Sequence, residues 1–304
     1  MTTDLKDRMR GCLLGLAVGD AVGTAVEFKP RGTFPPVTDM VGGGPFRLKP
    51  GQWTDDTSLA LCLAESLIER RGFDPRDQMR RYVRWYRHGH LSSTGECFDI
   101  GGTTGSALRL FEQTGKAFAG PTDPHRAGNG SIMRLAPVPM FYYPDIEKAI
   151  EFAGLSSRTT HGATECVDAC RLFALILIKA LGGHEKKDVL VGRGRLLRET
   201  LCDRIEAIAC GSYTAKDENR IRGTGYVVES LEAGLWSFAQ SDNFRDAILT
   251  AVNLGDDSDT TAAVCGQVAG AFYGESGIPS EWLGKLCMRD TITEFADRLP
   301  EMKP

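Results

Sequence analysis

The chain has 304 residues, and 36 Lys+Arg against 40 Asp+Glu give a formal net charge of −4. That balance excludes nucleic-acid binding by bulk charge, which needs a basic excess to displace counterions. Hydrophobic residues at 42% and charged residues at 25% are ordinary for a soluble globular chain and too apolar for disorder, and the length suffices for a deep core.

Met1 to Arg10 mixes both charge signs, and the apolar run that follows ends at Asp20. It has no small-residue cleavage site and is too short to span a bilayer, so neither secretion nor membrane insertion is expected. Leu5, Met9, Cys12, Leu13 and Leu16 follow the spacing of one helix face. Gly11, Gly15, Gly19 and Gly23 recur every four residues on the same stretch. Each glycine costs a helix about 1 kcal/mol relative to alanine, so close backbone packing against a neighbouring helix must compensate. After a Gly- and Pro-rich loop over Lys29 to Gln52, Leu59 to Ile68 forms the next apolar run. Asp74-Pro75 reads as an N-cap with proline in the first helical position, and Met79, Tyr82, Val83 and Tyr86 make the stripe. His88-Gly89-His90 reads as a glycine-stopped helix end, since two residues of spacing cannot set both rings on one face.

A second Gly- and Pro-rich loop covers Ala119 to Gly130. Cys166 to Leu181 is apolar almost all round, which places that helix in the centre of a bundle. Tyr226 to Phe238, Phe244 to Val252 and Thr260 to Phe272 add three more helices. Strand patterns are scarce, and neither a repeat nor a linker divides the chain, so one all-α domain over residues 1–304 is expected. The nine cysteines are never spaced as Cys-x-x-Cys and most sit in apolar company, which suggests small buried hydrophobes and a cytoplasmic location.

Two acidic clusters open helices: Trp53-Thr54-Asp55-Asp56-Thr57-Ser58 and Gly255-Asp256-Asp257-Ser258-Asp259-Thr260. Asp and Thr are favoured helix caps in their own right. A cap needs one residue, however, and adjacent carboxylates repel. Clustered oxygen donors of this kind suit Mg²⁺ or Mn²⁺.

With these motifs in place the sequence resembles the ADP-ribosylglycohydrolase family, including the dinitrogenase reductase-activating glycohydrolases. The resemblance runs from Gly11 to Gly274. It rests on Gly19-Asp20-Ala21-Val22-Gly23 with Glu27, on Trp53 to Thr57, and on Phe98-Asp99-Ile100-Gly101. Gly128-Asn129-Gly130-Ser131-Ile132-Met133-Arg134, Thr160-His161, Gly225-Tyr226-Val227-Val228 and Asp257 to Thr260 follow in family order. It implies a single compact orthogonal helical bundle. It also implies a binuclear metal centre, two Mg²⁺ or Mn²⁺ ions held by Thr54, Asp55 and Asp56 on one side and Asp257, Asp259 and Thr260 on the other. Asp256 stands where glycine is common in the family, either adding charge near the metals or capping the helix.

The activity so implied is hydrolysis of the glycosidic bond between ADP-ribose and an acceptor, through an oxocarbenium-like state. Asp99, Glu27 and Asp56 are the catalytic candidates; alternatively Glu27 is a solvated carboxylate beside Lys29. Gly101, Gly102, Thr103 and Thr104 lead into a helix from Ser106, and their free N–H groups suit the diphosphate unless they form a plain glycine-rich turn. Asn129, Gly130 and Ser131 offer close approach and hydrogen bonds to ribose or phosphate. His161 is a diphosphate or ribose contact, or else a structural histidine. Tyr226 stacks on a base or walls the pocket, or is a core aromatic. The expected partners are ADP-ribose and an ADP-ribosylated protein or peptide, the acceptor being arginine first and serine or another O-linked conjugate second. A non-catalytic ADP-ribose binder is the competing class, and the chain is expected to be a monomer.

Overall fold

The structure is a computed structural model that describes residues 3–192 and 200–302. The described residues form α1 (Thr3–Gly23), α2 (Asp55–Arg70), α3 (Pro75–His88), α4 (Gly102–Thr114), α5 (Pro137–Tyr142), α6 (Ile146–Arg158) and α7 (Thr164–Leu181). The second half adds α8 (Lys186–Val189), α9 (Asp203–Ala209), α10 (Val227–Ala239), α11 (Phe244–Val252), α12 (Ser258–Tyr273), α13 (Ser280–Lys285) and α14 (Arg289–Arg298). Among the described residues β-structure is confined to two isolated bridges, Gly43 with Leu48 and Gly128 with Tyr226. The all-α expectation holds.

The axis of the molecule is the pair α1 and α12, its most extensive helix contact. Side by side and antiparallel, they meet along the glycine stripe. A Cβ on Gly11 would lie 2.2 Å from the Gly270 carbonyl oxygen, on Gly15 2.3 Å from that of Gly266, and on Gly19 2.1 Å from that of Ala262. At Gly23 the same atom would sit 2.4 Å from the Asp259 Cα. Small residues on α12 complete the seam, for Gly266 and Gly270 face the carbonyls of Gly15 and Gly11 in return. Dispersion across this backbone-to-backbone contact offsets the intrinsic cost of the glycines. α1 together with the residues to Val26 is long and apolar enough to cross a membrane, contrary to the reading of its apolar run. Being 94% buried in the fold, it is a core helix.

Around this axis α7 packs on α6, α10 and α12, and α10 and α11 also cover α12. Leu172 to Leu177 of α7 are almost wholly inaccessible, as their continuous apolar run requires. The Asp74 carboxylate caps α3 by accepting from Arg76 N and Asp77 N at 2.9 and 3.0 Å, and Gly89 (φ 62°) ends it. His90 turns to Glu65 (2.8 Å), so it forms no pair with His88. All nine cysteines are unpaired.

One boundary differs from expectation. α4 begins at Gly102 rather than Ser106, with Gly101 as the extended N-cap. Ser106 Oγ returns to the Gly102 carbonyl (2.7 Å), so the glycines are held as the first turn of the helix.

Candidate metal centre

The antiparallel seam brings the C-terminal end of α1 to the N-terminus of α12, and Asp20 recruits a second N-terminus there. Its buried carboxylate accepts from Thr54 N (2.9 Å), Thr57 N (3.1 Å), Thr54 Oγ1 (3.0 Å) and Thr57 Oγ1 (2.6 Å). The N-cap residue of α2, Thr54, makes no capping bond of its own, so Asp20 satisfies the helix from outside. Thr54 Oγ1 also lies 3.3 Å from Asp259 Oδ2, and Thr260 Oγ1 lies 3.3 Å from Asp56 Oδ1. The two acidic clusters therefore meet face to face.

Asp257, not Asp256, is the N-cap residue of α12. Asp256 has φ 56°, the left-handed conformation that glycine adopts freely and Asp tolerates. Its N–H donates to the Lys29 carbonyl (2.8 Å), and its carbonyl accepts from Phe28 N (2.7 Å). This reciprocal pair ties the start of α12 to the segment that carries Glu27. The Asp256 carboxylate also adds its charge to the burial that raises the Asp257 carboxyl.

Glu27, Asp55, Asp56, Asp99, Asp257 and Asp259 line one pocket of about 370 Å³, and no Lys or Arg among the described residues lines it. Burial, then the charge of Asp99, pushes Glu27 up to about 9; burial, then the charge of Asp257, pushes Asp99 up to about 8. Asp55, Asp56 and Asp259 are raised well above the carboxylate range, chiefly by burial. Glu27 Oε2, Asp56 Oδ2 and Asp259 Oδ1 are buried with no hydrogen-bond partner. Carboxylate oxygens of Glu27, Asp99 and Asp259 lie within 4.8 Å of one another. Orphaned buried oxygens in an all-oxygen donor set that lacks a counter-charge fit a hard divalent cation. Thr54 stands behind this pocket, its hydroxyl between Asp20 and Asp259.

Gly101 to Thr104 form the pocket wall at the N-terminus of α4, opposite the Gly128–Gly130 turn. Asn129 Nδ2 donates to Asp257 Oδ2 (2.7 Å), fixing that carboxylate. Gly130 covers His161: a Cβ there would be 2.8 Å from the ring Cε1. The His161 ring is held neutral, its pKa pushed down to about 3 by burial and then by Arg134 and Arg126. Arg134 Nη2 donates to Thr160 Oγ1 (2.6 Å), and that hydroxyl meets His161 Nδ1 at 2.8 Å. With the hydroxyl proton directed to Nδ1, the ring proton resides on Nε2. Ser131 corrects the sequence reading. It is buried, its hydroxyl accepts from Ser157 Oγ (3.0 Å), and it is not on the pocket wall, because the turn after Gly130 points it inward.

Gly102, Thr103, Gly128 and Gly225 are shared with an outer cleft of about 900 Å³. Tyr226 lines this cleft; its hydroxyl donates to Glu165 (2.7 Å) and accepts from Arg204 (3.0 Å). Arg109 and Arg126 line it too, and the sequence reading singled out none of these three arginines. They come from α4, a loop and α9, so no local pattern marks them.

The family model for ADP-ribosylglycohydrolases matches residues 1–304. The chain belongs to the ADP-ribosylglycohydrolase family. It is 47% identical over 298 residues to a protein named ADP-ribosylarginine hydrolase Tri1 from Pseudomonas putida (strain GB-1), covering 98% of this chain and 79% of that one. A protein of the same name from Serratia proteamaculans (strain 568) is 45% identical, covering 98% and 80%. The ADP-ribosyl-[dinitrogen reductase] glycohydrolase of Rhodospirillum rubrum is 31% identical, covering 93% and 91%. A solved structure described as an ADP-ribosylglycohydrolase-related protein complex superimposes with a TM-score of 0.87 at 44% identity, covering all of both chains. In this glycohydrolase the motifs of Glu27, Asp55 and Asp56, Asp99, Asn129, His161 and Asp257 to Thr260, far apart in sequence, converge on one pocket.

Proposed function

We propose that this glycohydrolase removes ADP-ribose from arginine side chains of a protein or peptide, using two divalent ions, Mg²⁺ or Mn²⁺. The observation that carries the reading is the pairing of two cavities: a carboxylate pocket without a cationic side chain, opening into a cleft with three arginines. One end takes cations and sugar hydroxyls, and the other takes the negative diphosphate and its base. The identities with two ADP-ribosylarginine hydrolases support arginine as the acceptor.

Asp55, Asp56, Asp257, Asp259 and Thr260 on the pocket wall, with Thr54 behind it, would hold the cations, which when bound would supply positive charge to orient ribose hydroxyls and a water. The protein's own groups do the rest. Gly102 to Thr104 present free N–H groups at the α4 N-terminus, and His161 adds its Nε2–H, so donors meet the diphosphate without bulk. Tyr226, with Arg204 over its face (5.7 Å to the ring centroid), walls the base end. Glu27 and Asp99 lie beside the reacting carbon, where one takes a proton from the attacking water and the other delivers one to the departing guanidine nitrogen. The unpaired cysteines support a reducing, cytoplasmic setting.

The test is ADP-ribose release from matched arginine-linked and serine-linked ADP-ribosyl peptides, with and without EDTA. Release from the arginine peptide that stops with EDTA is expected. A tenfold preference for the serine peptide, about 1.4 kcal/mol in transition-state binding, overturns the acceptor assignment. Tight ADP-ribose binding without turnover on either peptide overturns the hydrolase.

A further inference from the structure

We infer that Phe28 is the acceptor platform, an aromatic face at the pocket mouth on which the arginine guanidinium of the substrate stacks. The inference rests on the proposed arginine specificity and adds the residue that supplies it.

The chain bears a cost at this position. Phe28 has φ 62°, a left-handed backbone that bulky residues rarely adopt. The conformation is clamped from both sides, by Phe28 N donating to the Asp256 carbonyl (2.7 Å) and by Asp256 N donating to the Lys29 carbonyl (2.8 Å). The ring so placed gains little from burial: Phe28 is 63% exposed, the most exposed large hydrophobic side chain among the described residues. Among the described residues its ring pairs with no other aromatic ring and no cation. Strain that produces an unburied aromatic at a cavity mouth points to a ligand.

Ribose chemistry fixes which part of the ligand arrives there. The diphosphate leaves the sugar at C5″ and the acceptor at C1″, across the ring. Gly102, Thr103, Gly128 and Gly225 open the pocket to the arginine-lined cleft that takes the diphosphate end. Glu27 and Phe28 line the same pocket but do not belong to that shared edge, so the C1″ substituent passes them. An arginine acceptor is a planar, weakly hydrated cation, which stacks on an aromatic face while the nearby carboxyl groups of Glu27 and Asp99 offer hydrogen-bond acceptors at its edge. A serine acceptor offers nothing for that face to hold.

The experiment compares wild type with Phe28→Ala, Phe28→Leu and Phe28→Trp, and all three substitutions are at an exposed site that leaves the core untouched. Each is assayed for kcat/KM on an arginine-linked ADP-ribosyl peptide and for inhibition by free ADP-ribose, which lacks the acceptor. Alanine and leucine are expected to lower kcat/KM about tenfold, tryptophan to retain it, and ADP-ribose inhibition to stay unchanged in all. A leucine variant as active as wild type overturns the stacking platform, since apolar bulk alone then suffices. ADP-ribose inhibition that weakens in parallel with kcat/KM overturns it too, by placing the ring against the ribose. Wild-type protein that leaves the arginine peptide intact refutes the functional reading itself, and the platform with it; that outcome is read from the wild-type assay alone.

Discussion

Replacing Asp20 by alanine separates the scaffold of the metal centre from its ligands, because Asp20 is off the pocket wall yet holds α2 in place. The carboxylate accepts four hydrogen bonds, two from hydroxyls and two from backbone N–H groups. The hydroxyl of Thr54 keeps a contact to Asp259, and that of Thr57 can rotate to a carbonyl one turn back in the helix, so both losses are small. The N–H groups of Thr54 and Thr57 face a buried space and have nowhere else to go, at about 1–3 kcal/mol each. Removing one charge from a self-repelling cluster returns about 1–2 kcal/mol. The net expectation is a loss of about 3 kcal/mol, or about 5 °C or more in Tm for a chain of this size. Differential scanning calorimetry with EDTA and with Mn²⁺ should show the drop in both, and calorimetric titration should show weaker Mn²⁺ binding. A Tm within 1 °C of wild type together with unchanged Mn²⁺ affinity would falsify the account of Asp20 as the external cap.

Asp56→Asn should behave oppositely: in EDTA its Tm should equal or exceed that of wild type, because repulsion falls, while the Mn²⁺-induced rise in Tm should vanish with activity. A full Mn²⁺-induced shift in that variant removes Asp56 from the ligand set. Gly19→Ala puts a Cβ 2.1 Å from the Ala262 carbonyl oxygen, so α1 and α12 must part, with an expected loss of at least about 3 kcal/mol in urea unfolding. Wild-type stability in Gly19→Ala would show that the seam yields easily. His161, neutral in the fold with its pKa depressed to about 3, contributes stability that is complete above its unfolded pKa near 6.5 and is lost as pH falls below it. Between pH 7.0 and 5.5 wild type should therefore lose about 1 kcal/mol more than His161→Gln, and equal losses would mean that His161 is protonated in the fold.

The sequence carried those features whose cause is local. Asp74-Pro75 and Gly89 delimit α3 because capping depends on adjacent residues. The four-residue glycine spacing forecast a close helix neighbour, and the carboxylate doublets forecast a cation site, since both patterns are expensive without such a partner. Features set by distant partners were not legible. Asp20 is an isolated acidic residue in the apolar second half of α1 until Thr54 and Thr57 arrive from 34 and 37 positions away. The left-handed backbone of Asp256 is invisible in its side chain. Ser131 sits one residue beyond a turn whose direction sequence does not specify, and it turned into the core.

The seam between α1 and α12 also determines where this enzyme is free to vary. Carbonyls and α-carbons in direct contact leave no side-chain layer to repack, so the two helices act as one rigid beam from Gly11 to Gly23. Groups mounted on its end, Asp20, Asp259 and Thr260, inherit fixed separations whatever binds. The Phe28 rim is joined to that end by two backbone hydrogen bonds and little else that a side-chain change would disturb. New acceptors are therefore to be sought by diversifying residue 28 and its loop neighbours, on a foundation that such libraries leave unmoved.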